Sequence, residues 1–146
     1  MNTEELLYEL LYKKSNKELM DYVKNVTDSD LLHFIAGNYN WDNGFDVPKS
    51  IVENKNCDLG TGLMIFTLAD GYTFLLDGEE CISKKWIKFV SDLKMRIEKR
   101  DFENNMIQYV PELSRVIRFK IKKINPDIDQ IFIDGTEGKI LDIPVV

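Results

Sequence analysis

The chain has a single histidine, His33, and its two cysteines, Cys57 and Cys81, stand far apart and in no C-x-x-C. That scarcity excludes multi-histidine metal centres, zinc knuckles and dithiol redox motifs, and leaves any imidazole chemistry dependent on one residue. Both thiols are expected to be buried or half-buried. A long uninterrupted apolar run is also missing: the opening MNTEELLYELLYKK starts with acids, and Glu and Tyr interrupt its leucines. It reads as neither signal peptide nor anchor, so the expectation is a reducing cytoplasm with no membrane partner.

What is present suits an ordered fold. At 146 residues, 44% apolar and 30% charged, the chain has ordinary globular composition and the length of a single domain, read here over 1–146. The net charge of -6 is unevenly spread. Residues 1–83 carry 6 basic and 15 acidic side chains, a balance of −9; residues 84–124 carry 12 and 5, or +7; residues 125–146 carry 1 and 5, or −4. Such runs serve as solvated faces, or the acidic half presents a field that hastens encounter with a basic protein. Nucleic acid is not the expected partner, because the sign of the whole chain is wrong for phosphates.

Periodicity predicts a mainly α chain. Thr3 caps a first helix with Leu6, Leu7, Leu10 and Leu11 inward, and Ser15-Asn16-Lys17-Glu18 matches the S-x-x-E capping box of a second. Asp28 or Thr27 starts a third, which Gly37 and Asn38 end in the left-handed conformation. Asp46 caps a fourth with Pro48 in its first turn, and Asp58 caps a fifth that runs through Leu59, Leu63 and Phe66 to Gly71. Tyr72 to Leu76 reads as a strand or as helix resumed after a break. Ser83 opens the longest helix, with Trp86, Val90, Leu93 and Ile97 on one stripe. Pro111 suits the first turn of another through Leu113, Ile117, Ile121 and Ile124, although local alternation there leaves a strand open. Residues 125–146 read as a hairpin, with 130–133 and 139–141 flanking an Asp-Gly-Thr-Glu-Gly loop.

Within 31–72 lies a denser signature: Leu32, His33, Asn38 to Asp42, Gly44 to Phe45, Val47 to Pro48, Asn56 to Thr61 (NCDLGT) and Leu68 to Gly71 (LADG). This spaced combination resembles a mainly bacterial family catalogued as domain of unknown function 4274, and the resemblance implies no activity. The helix, Asn- and Asp-rich turn, helix order around ENKNCDLGTGLMIFTLAD also looks like the units of α-solenoids. The expected fold is therefore an irregular helical-hairpin, α-solenoid-like bundle with a small C-terminal β-hairpin.

No catalytic constellation is written in the chain, and no cofactor is implied. His33, in the apolar context LLHFIA, reads as a core residue bonded to a carbonyl or Asn before it reads as a general base, and Ser29 beside Asp28 and Asp30 reads as capping chemistry. Asn38, Asn40 and Asp42 have calcium-loop spacing, but Asn43 and Lys49 occupy the positions that need Gly and Glu. Gly60-Thr61-Gly62 at a helix start lacks a following Walker lysine.

Two site hypotheses remain. The first takes Tyr39, Trp41 and Phe45, interleaved with Asp42 and Asp46, as a surface for another protein with a basic face. An immunity or antidote protein blocking a basic toxin is the form this would take, and the same rings would equally pack the loop between the third and fourth helices. The second draws on a cluster of Asp42, Asp46, Asp58 and Asp70 and is a metal-assisted hydrolase using Asp42, Asp46 and Asp70 with His33 as base.

Overall fold

The computed structural model describes residues 1–78 and 83–146. Cys81, and with it one of the two thiol expectations, lies outside them. The described residues are helical and irregular, with no sheet: α1 (Thr3–Tyr8) continues into one π-helical turn, Glu9–Lys13, and is followed by α2 (Asn16–Val23), α3 (Ser29–Asn38) and a 3-10 turn, Trp41–Asn43. Then come α4 (Asp46–Glu53), α5 (Leu59–Leu68), α6 (Gly71–Asp77), α7 (Lys84–Glu98), α8 (Arg115–Ile124) and the single turn α9 (Ile131–Asp134).

Capping chemistry sets most of the boundaries. Ser15 Oγ accepts the Glu18 N–H while Glu18 accepts the Ser15 N–H, completing the reciprocal box at the start of α2. Asp28, Asp58, Ser83 and Ser114 each take an N–H of the helix that follows. At α1 the cap is Asn2, not Thr3, in keeping with the stronger capping of Asn. Asp46 is the first residue of α4 instead of its cap, and sits one place inside the positive end of the helix dipole.

Helix α5 is the axis of the core. Every residue from Leu59 to Phe66 is buried, so this helix has no polar face. Each of α3, α4, α6 and α7 packs against it. Val90, Leu93 and Ile97 form the inward stripe of α7, as their spacing predicts. No single helix among the described residues is long and apolar enough to cross a membrane; α5 and α6 reach such a length only together, bent by 66°.

Four further expectations are corrected. Gly37 and Asn38 stay helical to the end of α3, where the Asn38 amide bonds the Phe34 carbonyl. Gly71 opens α6 instead of closing α5, and Asp70 takes the left-handed turn at φ 65°. Gly71 must lack a side chain because a Cβ would sit 2.5 Å from the Phe66 ring. Tyr72 to Leu76 is helix. Helix α8 begins at Arg115 under the Ser114 cap, and Pro111 precedes it as a buried residue in irregular chain.

The fourth correction is the C-terminal β-hairpin over 125–146, which does not form. Ile131, Phe132 and Ile133 are all buried, which a one-sided hairpin strand cannot achieve for three successive residues, and they form one turn of helix started by the Asp129 carboxylate on the Ile131 N–H. The following loop bonds to a different segment: Thr136 N–H to Tyr109 O and Lys139 N–H to Met106 O, both 2.9 Å, with Gln108 N–H returning to Lys139 O. Only isolated bridges result, Ile107 with Lys139 and Asp58 with Asn104.

Candidate functional site

The loop between α3 and α4 folds around its own rings. Tyr39 is buried and donates its hydroxyl to Gly44 O at 2.8 Å, and burial pushes its phenol pKa up. Asn40 accepts the Asp42 N–H at 3.0 Å in an Asx turn, which fixes the 3-10 turn at Trp41. Trp41 meets Tyr39 edge-on at 5.7 Å and Phe45 at 6.1 Å. Its indole N–H is buried and is the one such side-chain group among the described residues that lacks a hydrogen-bond partner.

Helix α7 supplies the partner ring that the sequence reading missed. Phe89 lies 6.3 Å from Trp41 and 5.2 Å from Phe45, so rings from two separate segments form one cluster. Trp41 and Phe89 rest on the core, whereas half-buried Phe45 is not among the residues packed against it. The cluster opens into a groove of about 420 Å³ between α4 and α7, lined by Phe45, Val52, Phe89 and Leu93 and edged by charges of both signs. Among these, Lys88 pairs with Asp92 at 2.9 Å and Lys49 with Glu53 at 4.0 Å. Arg96 donates to Val52 O and stacks on Phe102. Asp42 and Asp46 are exposed and form no ion pair with any described residue. A trace of Phe89 existed in the sequence, as an aromatic one step off the Trp86 stripe, but nothing there tied it to residue 45.

The second constellation is not assembled. His33 is 2% exposed, and its Nδ1 lies 2.8 Å from Thr61 Oγ1. Burial lowers its pKa, and the negative charges of Asp58 and Asp30 oppose that shift less strongly. Asp58 is fully buried and engaged by backbone N–H groups of Gly60, Met106 and Ile107. Asp70 is exposed at the α5–α6 turn, and the Ser29 hydroxyl donates to Asn56 O at 2.6 Å. Among the described residues no three His, Cys, Asp or Glu side chains gather closely enough to hold a metal ion. The Gly60 N–H, one candidate anion donor, is taken by Asp58.

These observations explain the dense signature as joinery. Asn54 bonds the Val23 and Val26 carbonyls after α2. Asp58 ties α5 to 106–107, Thr61 holds His33, and the Trp86 indole donates to Ala69 O at the end of α5. Residues 27–100 match the family described as Domain of unknown function (DUF4274). The chain belongs to that family. Its matched region extends beyond the 31–72 signature to the end of α7, so both walls of the aromatic groove lie inside it. No curated protein and no solved structure matches the chain.

Proposed function

We propose that this DUF4274 chain is a protein-binding module of the bacterial cytoplasm whose contact surface is the Trp41, Phe45 and Phe89 cluster with Asp42 and Asp46 at its rim. The observation that carries the reading is the pairing of Phe45 with Phe89 at the mouth of an open groove, beside Asp46, whose carboxylate forms no ion pair with any described residue. Rigid rings bury large area at little entropic cost and dominate interface energetics. Exposed acids beside them favour a partner with a basic surface and act mainly on its association rate. Immunity or antidote action, in which this face covers a basic toxin, is the biological form of the proposal.

The helix order supports a solenoid-like reading of the scaffold. Helix α2 packs on α4, α3 on α5, α5 on α7 and α6 on α8, each against its next-but-one neighbour, as paired helices do in stacked repeats.

A photoreactive residue placed at position 45, with a control at exposed Lys24, tests the surface in living cells. The expected result is one discrete protein adduct at 45 that is missing at 24. With that protein purified, Phe89→Ala should weaken binding roughly tenfold or more, and Asp46→Lys should slow association and reduce its salt dependence. Equal adducts at both positions, or unchanged binding by both variants, would remove the proposal.

A further inference from the structure

Helix α8 is fixed to the fold by one side only. Ile121 is fully buried, Leu113 and Ile117 rest against the core, and the Asn125 amide donates to Leu75 O of α6 at 2.8 Å. These apolar contacts fall at i, i+4 and i+8, a single stripe.

The opposite face is centred on Phe119. Its ring is 66% exposed, more than any other large aromatic side chain among the described residues, and does not pack on the core. The surface neighbours of a helical residue are those three and four places away. For Phe119 these are Arg115, Val116, Lys122 and Lys123, all exposed, so an apolar pair stands among three cations. Arg118 and Lys120 are exposed beside them. None of the five cations of α8 forms an ion pair with a described residue, and no acid occurs from Leu113 to Pro126. On α7, by contrast, Lys88 and Lys94 are each paired within their own helix.

Unpaired cations attract anions of any kind, and the apolar pair narrows the class. A nucleic acid would stack a base on Phe119 but has nothing apolar for Val116, and an acidic protein would need a pocket shaped to this convex face. An anionic bilayer supplies phosphates for the cations and an acyl boundary just beneath them for the apolar pair, and a convex face needs no matching shape there. The net charge of -6 does not forbid this, because fields are screened beyond about 8 Å at physiological salt and the face laid on the surface decides. The expectation of no membrane partner rested on the lack of a leader or anchor segment, which a helix lying on a surface does not need. At ten residues α8 is about 15 Å long, too short to span and long enough to lie flat.

We infer that the face of α8 formed by Arg115, Val116, Phe119, Lys122 and Lys123 is a docking surface for an anionic phospholipid bilayer. Phe119 and Val116 enter the boundary between headgroups and acyl chains, and the cations lie on lipid phosphates. The helix is already folded, so binding carries no cost of ordering it. The face shares no residue with the aromatic groove, and its fate does not depend on that proposal.

The test mixes the full-length chain with vesicles of phosphatidylglycerol and phosphatidylcholine in equal parts, or of phosphatidylcholine alone, and reads binding by sedimentation, with circular dichroism confirming the fold of each variant. Binding is expected to the anionic vesicles only, and should fall at least tenfold when salt is raised from about 0.1 to about 0.5 M. Lys122→Glu with Lys123→Glu should weaken it at least about thirtyfold, whereas Lys24→Glu with Lys55→Glu, the same charge change at exposed positions elsewhere, should alter it by no more than about twofold. Phe119→Ala should weaken binding roughly tenfold and leave its salt dependence unchanged. In the Phe119→Trp chain, the emission added to that of the unsubstituted chain should be quenched by lipid that carries a spin label near the top of its acyl chain. The inference is overturned by absence of binding to the anionic vesicles, by equal binding to phosphatidylcholine, or by equal losses in the two lysine pairs. Tighter binding to a single-stranded oligonucleotide at equal phosphate concentration would also overturn it, in favour of a nucleic acid. Self-association without vesicle binding, lost with Lys122→Glu and Lys123→Glu, would overturn it in favour of a second copy.

Discussion

The Asp58 carboxylate accepts the backbone N–H of Met106 at 2.6 Å, joining the start of α5 to chain 48 residues further on. The same side chain takes the N–H groups of Gly60 and Ile107, so one buried residue caps a helix and anchors the segment that crosses it. Removing it leaves three backbone donors without their acceptor, at about 1–3 kcal/mol each. Asp58→Ala is therefore expected to lower stability by at least about 3 kcal/mol. In urea denaturation the midpoint should fall with little change in slope. A loss under about 1 kcal/mol would mean that the segment 104–107 docks without this clasp.

Gly60 and Gly62 stand two places apart on α5 but differ in what they touch. A Cβ on Gly60 would overlap the Ile107 carbonyl, which is backbone held by the Asp58 clasp. On Gly62 it would meet the Phe102 ring at 2.6 Å, a half-buried side chain that can turn aside. Alanine gains roughly 1 kcal/mol of helix propensity at either place. Gly62→Ala is thus expected near neutral or mildly destabilising, and Gly60→Ala severely so. Melting temperatures of the two variants check the order, and equal values would contradict it.

The parts of this fold legible in the sequence are those decided locally. Ser15 with Glu18, Asp28, Asp58 and Ser83 announce helix starts because capping involves only three or four neighbouring residues. The inward stripe of Val90, Leu93 and Ile97 follows from helical period alone. What escaped was decided at a distance. The segment Gln130–Leu141 has a hairpin's composition, but its glycines serve another contact: a Cβ on Gly135 or Gly138 would overlap the carbonyls of Tyr109 and Met106. The site divides the same way. Tyr39, Trp41 and Phe45 were visible as one dense loop, while Phe89, some 44 residues beyond Phe45, joins it only through the packing of α7.

Cys57 is 1% exposed, and burial pushes its thiol up to about 12. The thiolate is the reactive form, so at pH 8 this group should resist alkylation in the folded chain. Peptide mapping after iodoacetamide treatment should find Cys57 unmodified without denaturant and modified in 8 M urea or an equivalent denaturing condition, about the strength needed for complete unfolding. Rapid labelling in native buffer would show that α5 opens at its N-terminal end far more often than its burial implies.

His33 sets the pH response near neutrality, because it is the chain's only histidine. Burial lowers its pKa in the folded state below the ordinary value of 6.5. Below that ordinary value the unfolded chain binds a proton that the folded chain does not, so its contribution to stability is complete above about pH 6.5 and declines as pH falls toward the folded-state pKa. Among the described residues the carboxylates with lowered pKa, Glu18 and Asp129, have the same sign but act below their own ordinary values of 4.5 and 3.8. The interval between about pH 5 and 6.5 therefore isolates the histidine. Stability measured by denaturant titration should decline through that interval, and His33→Gln, which carries no titrating group there, should flatten the decline. A profile as steep in the glutamine variant as in the unsubstituted chain would place the proton uptake elsewhere, and the buried pair of His33 with Thr61 would then carry no pH dependence of folding.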